Sequence, residues 1–134
     1  MKVNNHKIYK NKYKAVVLTA GIGSRINEIT KSIPKSMIKI NKKFIFEYIL
    51  ENLCKAKIKD VIFVVGYKSN ILKPKLKKKC HELGMNLKIV VSKKYKTTNT
   101  MYSLWLARKY LKSDFIFLHG DLIFSFKMLN NFLK

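Results

Sequence analysis

Four short apolar runs recur along the chain, and the segments between them repeat their apolar positions at the three-to-four residue spacing of helices. The runs are Ala15-Val16-Val17-Leu18, Val61 to Val65, Leu87 to Val91 and Phe115 to Leu118. The first, second and fourth have the near-continuous hydrophobicity of strands buried within a sheet, and Leu87 to Val91 reads as a third strand. Phe44 to Lys57 reads as an amphipathic helix. Ser69 to Leu83 reads as a basic helix with Pro74 in its first turns, ending near Gly84. Another helix starts at the capping residue Asn99 or at Thr100 and runs through Met101, Leu104, Trp105, Leu106 and Tyr110 until Asp114 breaks it. Ser125 to Lys134 has the pattern of one more.

Strands that alternate with helices predict an α/β fold: a Rossmann-like, mostly parallel sheet with right-handed crossovers and helices on both faces. In such sheets ligands bind at the carboxyl ends of the strands, where the strand order reverses. An order of 3-2-1-4 places the ends of the first and fourth strands side by side. Each of those ends carries a candidate motif: Leu18 to Arg25 (LTAGIGSR) after the first, His119-Gly120-Asp121 after the fourth.

Composition narrows the class. A chain of 134 residues with 48% hydrophobic residues suits one globular domain, and no apolar run is long enough to cross a bilayer. Residues 1–13 form a basic extension without the apolar centre of a signal peptide, so the expectation is a cytoplasmic protein with its domain at residues 14–134. Cys54 and Cys80 lack a CxxC spacing and read as buried free thiols. The net charge of +22 ordinarily suggests a polyanionic partner. All but two of the 29 basic residues are lysine, however, and isoleucine and asparagine are abundant too, a bias that an AT-rich coding sequence produces. Nucleic-acid surfaces favour arginine for bidentate contacts, and only Arg25 and Arg108 are present. The lysine-rich run Lys73 to Lys79 reads as a solvated helical face. Neither a specific nucleic-acid partner nor a membrane is expected.

The glycine loop carries the chemistry. Gly21 and Gly23 let the backbone approach an anion and turn N–H groups toward it, while Arg25 and the Lys35 of Pro34-Lys35-Ser36 add positive charge. This is a cradle for a nucleoside triphosphate. It is not the P-loop GxxxxGK[ST], and it lacks the third glycine of GxGxxG. Asp121 is the carboxylate placed at the end of a buried strand, and Mg²⁺ takes one or two carboxylates together with phosphate oxygens. A Gly-Asp pair also makes ordinary turns. His119 reads as a residue that packs or meets solvent rather than as a metal ligand.

The stretch from Leu18 to Leu53, with its glycine loop, Arg25 and Pro34-Lys35, resembles the amino-terminal signature of nucleotidyltransferases of the sugar-phosphate and phosphocholine type. Asn99 to Ala107 (NTMYSLWLA), followed by a strand and His119-Gly120-Asp121, is similar to the Asn-x-x-x-Ser-Leu-x-Leu segment of bacterial choline-incorporation CTP:phosphocholine cytidylyltransferases. The resemblance implies the nucleotide-diphospho-sugar transferase fold. It also implies Mg²⁺-dependent transfer of CMP from CTP to phosphocholine or a related aminoalkyl phosphate or phosphonate, with release of pyrophosphate. By similarity Leu18, Ala20, Gly21, Gly23 and Ser24 border the nucleotide. Arg25 holds the β and γ phosphates, Lys35 meets the α-phosphate and the entering nucleophile, and Asp121 binds Mg²⁺. Asn99 and Ser103 connect to the site, although the same segment is also an ordinary capped helix.

Family members continue past the position of Asp121 with strands that carry a second metal-binding aspartate and much of the acceptor pocket. The expectation is therefore a chain from which the carboxyl-terminal part is missing, with an open sheet edge that could pair with a second copy. Two other readings stand beside the first: a sugar-1-phosphate nucleotidyltransferase using UTP, dTTP or GTP, and a noncatalytic fragment that binds nucleotides or polyanions.

Overall fold

The structure is a computed structural model that describes residues 13–134; the expected basic extension lies outside the described residues, apart from Tyr13. Strand β1 (Lys14–Thr19) leads through a 3-10 turn at Ser24–Ile26 into the short α1 (Asn27–Thr30). A second 3-10 turn, Lys35–Met37, precedes a hairpin of β2 (Lys39–Ile40) and β3 (Lys43–Phe44), then α2 (Ile45–Lys55) and β4 (Asp60–Val65). The chain continues through α3 (Ser69–Glu82), β5 (Asn86–Val91), α4 (Thr100–Ala107), a 3-10 turn at Arg108–Tyr110, β6 (Phe115–His119) and α5 (Phe126–Phe132).

The four long strands pair in parallel in the order β5-β4-β1-β6, which is the predicted 3-2-1-4. Alternate side chains of the central strands serve opposite faces. Ala15, Val17, Val61, Phe63 and Val65 pack with Ile49, Leu50 and Leu53 of α2, Leu72 and Leu76 of α3, and Leu129 of α5. Val16, Leu18, Ile62 and Val64 pack on the other face against Leu104 and Ala107 of α4. Helices thus cover both faces, and no helix among the described residues is long and apolar enough to cross a membrane.

Local signals set the helix ends. Asn99 Oδ1 accepts the Tyr102 N–H at 3.1 Å and caps α4. Gly84, at φ +61°, ends α3 in the left-handed region, and the Met85 N–H closes back on the Cys80 carbonyl at 2.9 Å. Pro74 lies in the second turn of α3, as the pattern predicts. The α4 helix stops at Ala107 and tightens to a 3-10 turn through Tyr110, shorter than its apolar pattern predicts.

Two expectations are corrected. The fourth strand is not buried on both sides: Phe115, Phe117 and His119 are exposed, because β6 is the sheet edge and α4 lies over β1 and β4 instead. Only Cys80 is a fully buried thiol, its pKa pushed up to about 11 by burial, whereas Cys54 is half-buried.

Candidate active site

The parallel register sets the carboxyl ends of β1 and β6 next to one another, with Leu18 opposite His119 and the Gly120 N–H donating to the Leu18 carbonyl at 2.8 Å. Gly120 is required by this approach, since a Cβ there would overlap the Thr19 side chain and sit 2.9 Å from the Leu18 carbonyl oxygen. Thr19 is held in turn by its hydroxyl, which donates to the Val64 carbonyl at 2.9 Å. Asp121, one residue further on, therefore emerges at a fixed place beside the glycine loop.

The loop itself is anchored at three points. The Ala20 carbonyl accepts the Tyr67 N–H at 3.1 Å. Buried Thr30 donates its hydroxyl to the Gly23 carbonyl at 3.1 Å and the Ile26 carbonyl at 3.2 Å. The Lys35 side chain lies directly over Gly23, where a Cβ would come within 2.6 Å of Lys35 Cε. Gly21 has the opposite surroundings: it lines the cavity, and no heavy atom lies within 4 Å of where its side chain would begin.

Lys35 and Asp121, far apart in sequence, meet here as an ion pair with Nζ 3.3 Å from Oδ2. They share a cavity of about 280 Å³ with Leu18, Thr19, Ala20, Gly21 and Gly23 on the sheet side. Its opposite wall is the start of α4, with Asn99, Thr100 and Ser103, and the preceding loop with Tyr95 and Thr98. The lining combines one cation and one carboxylate with a set of hydroxyl groups and backbone. That is a donor-rich site suited to an anion.

The structure brings eight of the predicted residues to this one cavity: Leu18, Ala20, Gly21, Gly23, Lys35, Asn99, Ser103 and Asp121. Ser24 and Arg25 sit apart from its wall, exposed on the 3-10 turn that follows the glycine loop. Sequence reasoning did not single out Ser36, Tyr95, Thr98 or Thr100 as site residues. Ser36 was within reach, being the neighbour of Lys35, but Tyr95 and Thr98 stand in a loop with no pattern to mark them. His119 packs edge-on against Phe117, ring centroids 4.9 Å apart, as expected for a packing residue, and also lines the cavity.

No cluster of three or more metal-binding side chains exists among the described residues. A Mg²⁺ ion carried by triphosphate oxygens needs only one or two protein carboxylates. Asp121, with its side chain 45% exposed at the cavity, meets that smaller requirement.

A parallel sheet of this order, with a glycine loop, lysine and aspartate gathered at the ends of β1 and β6, defines an α/β domain of Rossmann-like architecture with a polar cavity at the carboxyl ends of its strands. The chain belongs to the nucleotidyl transferase family, whose model matches residues 14–134. It is similar to a choline-phosphate cytidylyltransferase of Streptococcus pneumoniae, 34% identical over 103 residues that cover 77% of this chain and 42% of the relative. It is also similar to a D-glycero-alpha-D-manno-heptose 1-phosphate guanylyltransferase of Campylobacter jejuni, 36% identical over 111 residues, 83% of this chain and 48% of the relative. Among solved structures, the inositol-1-phosphate CTP transferase of T. maritima superposes with a TM-score of 0.76 at 25% identity, covering 91% of this chain and 49% of that one. The chain spans somewhat under half the length of these relatives.

Proposed function

We propose that this domain binds CTP and serves the transfer of CMP to phosphocholine or a related aminoalkyl phosphate or phosphonate. The observation that carries the reading is the meeting of Lys35 and Asp121, 3.3 Å apart, in the cavity that the glycine loop borders. An oxygen of the acceptor phosphate attacks the α-phosphorus, a new P–O bond forms, and the bond to the β-phosphate breaks with its electron pair leaving on pyrophosphate. The acceptor oxygen is already anionic, so no general base is needed. What the protein contributes is alignment and neutralisation of charge.

Lys35 offsets charge at the α-phosphate and the entering oxygen, and the loop from Ala20 to Gly23 presents backbone to the phosphates. By resemblance Arg25 would hold the outer phosphates, reaching them from an exposed turn apart from the cavity wall. Asp121 would hold Mg²⁺, which neutralises triphosphate charge when bound. In the free protein Lys35 and Asp121 form a partly exposed ion pair, which a bound anion and its cation would part.

The relatives favour the nucleotidyl class as a whole and include a guanylyltransferase, so GTP with a sugar 1-phosphate is the second reading. The segment Asn99-x-x-x-Ser103-Leu104-x-Leu106, whose Asn99 and Ser103 both line the cavity, favours the cytidylyl reading.

The test measures nucleotide binding and pyrophosphate release by the 134-residue chain with Mg²⁺, crossing CTP and GTP with phosphocholine and a sugar 1-phosphate. Release with CTP and phosphocholine that falls by about 10²- to 10³-fold in Lys35→Ala supports the proposal. Binding without release identifies a nucleotide-holding half-site. Failure to bind any nucleoside triphosphate sinks the reading.

A further inference from the structure

Ser36 carries a hydroxyl that the fold leaves unused. It sits in the 3-10 turn Lys35–Met37, only 2% exposed, and its Oγ has no hydrogen-bond partner among the described residues. Buried hydroxyls are normally paired, and the neighbouring ones are: Thr19 donates to Val64 and Thr30 to Gly23 and Ile26. An orphan of this kind weakens the free protein and calls for an explanation. Ser92 is the other such hydroxyl, but it lies away from the cavity wall, whereas Ser36 is part of it beside Lys35, Gly23 and Asp121.

The turn that holds Ser36 is closed on both sides. The Met37 N–H donates to the Pro34 carbonyl at 2.9 Å and the Ile38 N–H to the Lys35 carbonyl at 3.0 Å. These bonds hold the backbone of the turn, and because the oxygen is itself buried, rotation about χ1 is the movement that would bring it to a ligand in the cavity without moving the chain. A hydroxyl can donate one hydrogen bond, and beside a lysine in a site built for anions the matching acceptor is a phosphoryl oxygen.

We propose that the Ser36 hydroxyl, unpaired in the free protein, donates a hydrogen bond to a phosphoryl oxygen of the bound nucleotide and so is a nucleotide-binding residue in its own right. The inference rests on the nucleotide-binding reading of this cavity and adds a residue to it. The unpaired state fixes the sign of the mutational effect. Removing the oxygen costs the free protein nothing, because no intramolecular bond is lost, and costs the complex a charge-assisted bond.

The experiment compares wild type with Ser36→Ala by thermal unfolding without ligand and by calorimetric binding of CTP, cytidine, inorganic pyrophosphate and phosphocholine, with Mg²⁺ present. The expected result is an unchanged or raised Tm together with CTP and pyrophosphate binding weaker by about 10- to 100-fold, and with cytidine and phosphocholine unaffected. Ser36→Cys, nearly isosteric with a weaker donor, should fall between the two. A lowered Tm with unaltered CTP affinity assigns Ser36 to the fold and overturns the proposal. So does a loss confined to phosphocholine, which would place the hydroxyl on the acceptor. If wild type binds CTP and Ser36→Ala binds it equally well, only this inference fails; if wild type binds no nucleotide, the underlying reading fails with it.

Discussion

Gly23 answers to two demands at once, since its φ of +74° lies in the left-handed region and its missing side chain leaves room for the Lys35 stem. Gly23→Ala should therefore act on stability and on binding by separate routes. The backbone conformation costs about 1–2 kcal/mol, read from chemical denaturation. Displacement of Lys35 should weaken CTP binding by about tenfold or more. If the binding loss passes through the lysine, the double variant Gly23→Ala/Lys35→Ala binds no worse than Lys35→Ala alone; additive losses would mean that the loop itself was deformed. At this scale the sequence was legible where chemistry is local. Glycines, a lysine after proline and a strand-end aspartate declare themselves in a few neighbouring letters. Tyr95 and Thr98 do not, because only the path of the loop before α4 brings them to the cavity.

Among the elements, α2 is the clamp of the face opposite α4. Glu51 in α2 reaches Lys43 of β3 and Lys79 of α3, both at 2.7 Å, and Glu47 accepts the Phe44 N–H at 2.9 Å where the hairpin enters the helix. Burial pushes the Glu51 carboxyl up, but the hydrogen bonds and charges of Lys43 and Lys79 outweigh it and hold the group below its ordinary value. A depressed carboxyl stabilises the fold above its unfolded pKa, and that contribution disappears as pH falls through the lower folded value. Glu51→Gln should thus cost about 1 kcal/mol at neutral pH, measured by denaturant titration, with the gap from wild type closing in acid. A gap that stays constant would show that the pair contributes packing rather than charge. Lys79 is raised despite desolvation, through Glu51 and Glu47, so its share is present below its unfolded pKa and is lost only as alkaline pH passes the folded value. None of this clamp was legible beforehand. The long helices announced themselves by period and the strands as apolar runs, and the expected strand order and the helices on both faces are those found. The two-residue strands of the hairpin and the four-residue α1 are too short to show a period, and tertiary contacts define them instead.

In the molecule as a whole, the cavity lies between the central β1 and the edge strand β6, so one side of the site borders an open sheet edge. Phe115 and Phe117 of β6, together with Leu122, Ile123, Met128 and Phe132, line an apolar groove of about 600 Å³ beside that edge. The expected order put the fourth strand at one end of the sheet, but its letters did not show that alternate side chains would lie uncovered, because an apolar run reads the same at an edge as in the middle. An open edge with an apolar flank favours pairing with another chain, while a net charge of +22 on every copy opposes it. The balance between them is set by salt. The charge repulsion extends over a Debye length of about 30 Å at 0.01 M salt and about 3 Å at 1 M, whereas burial of aromatic surface is not screened. For the 134-residue chain by itself, the weight-average mass from analytical ultracentrifugation should therefore rise from the monomer value toward that of larger species as salt is raised. Phe117→Lys, which puts a charge on the exposed side of the edge, should hold the monomer mass throughout. If wild type stays monomeric in high salt, the groove is not adhesive toward a second copy; if Phe117→Lys associates as wild type does, the contact lies elsewhere on the surface.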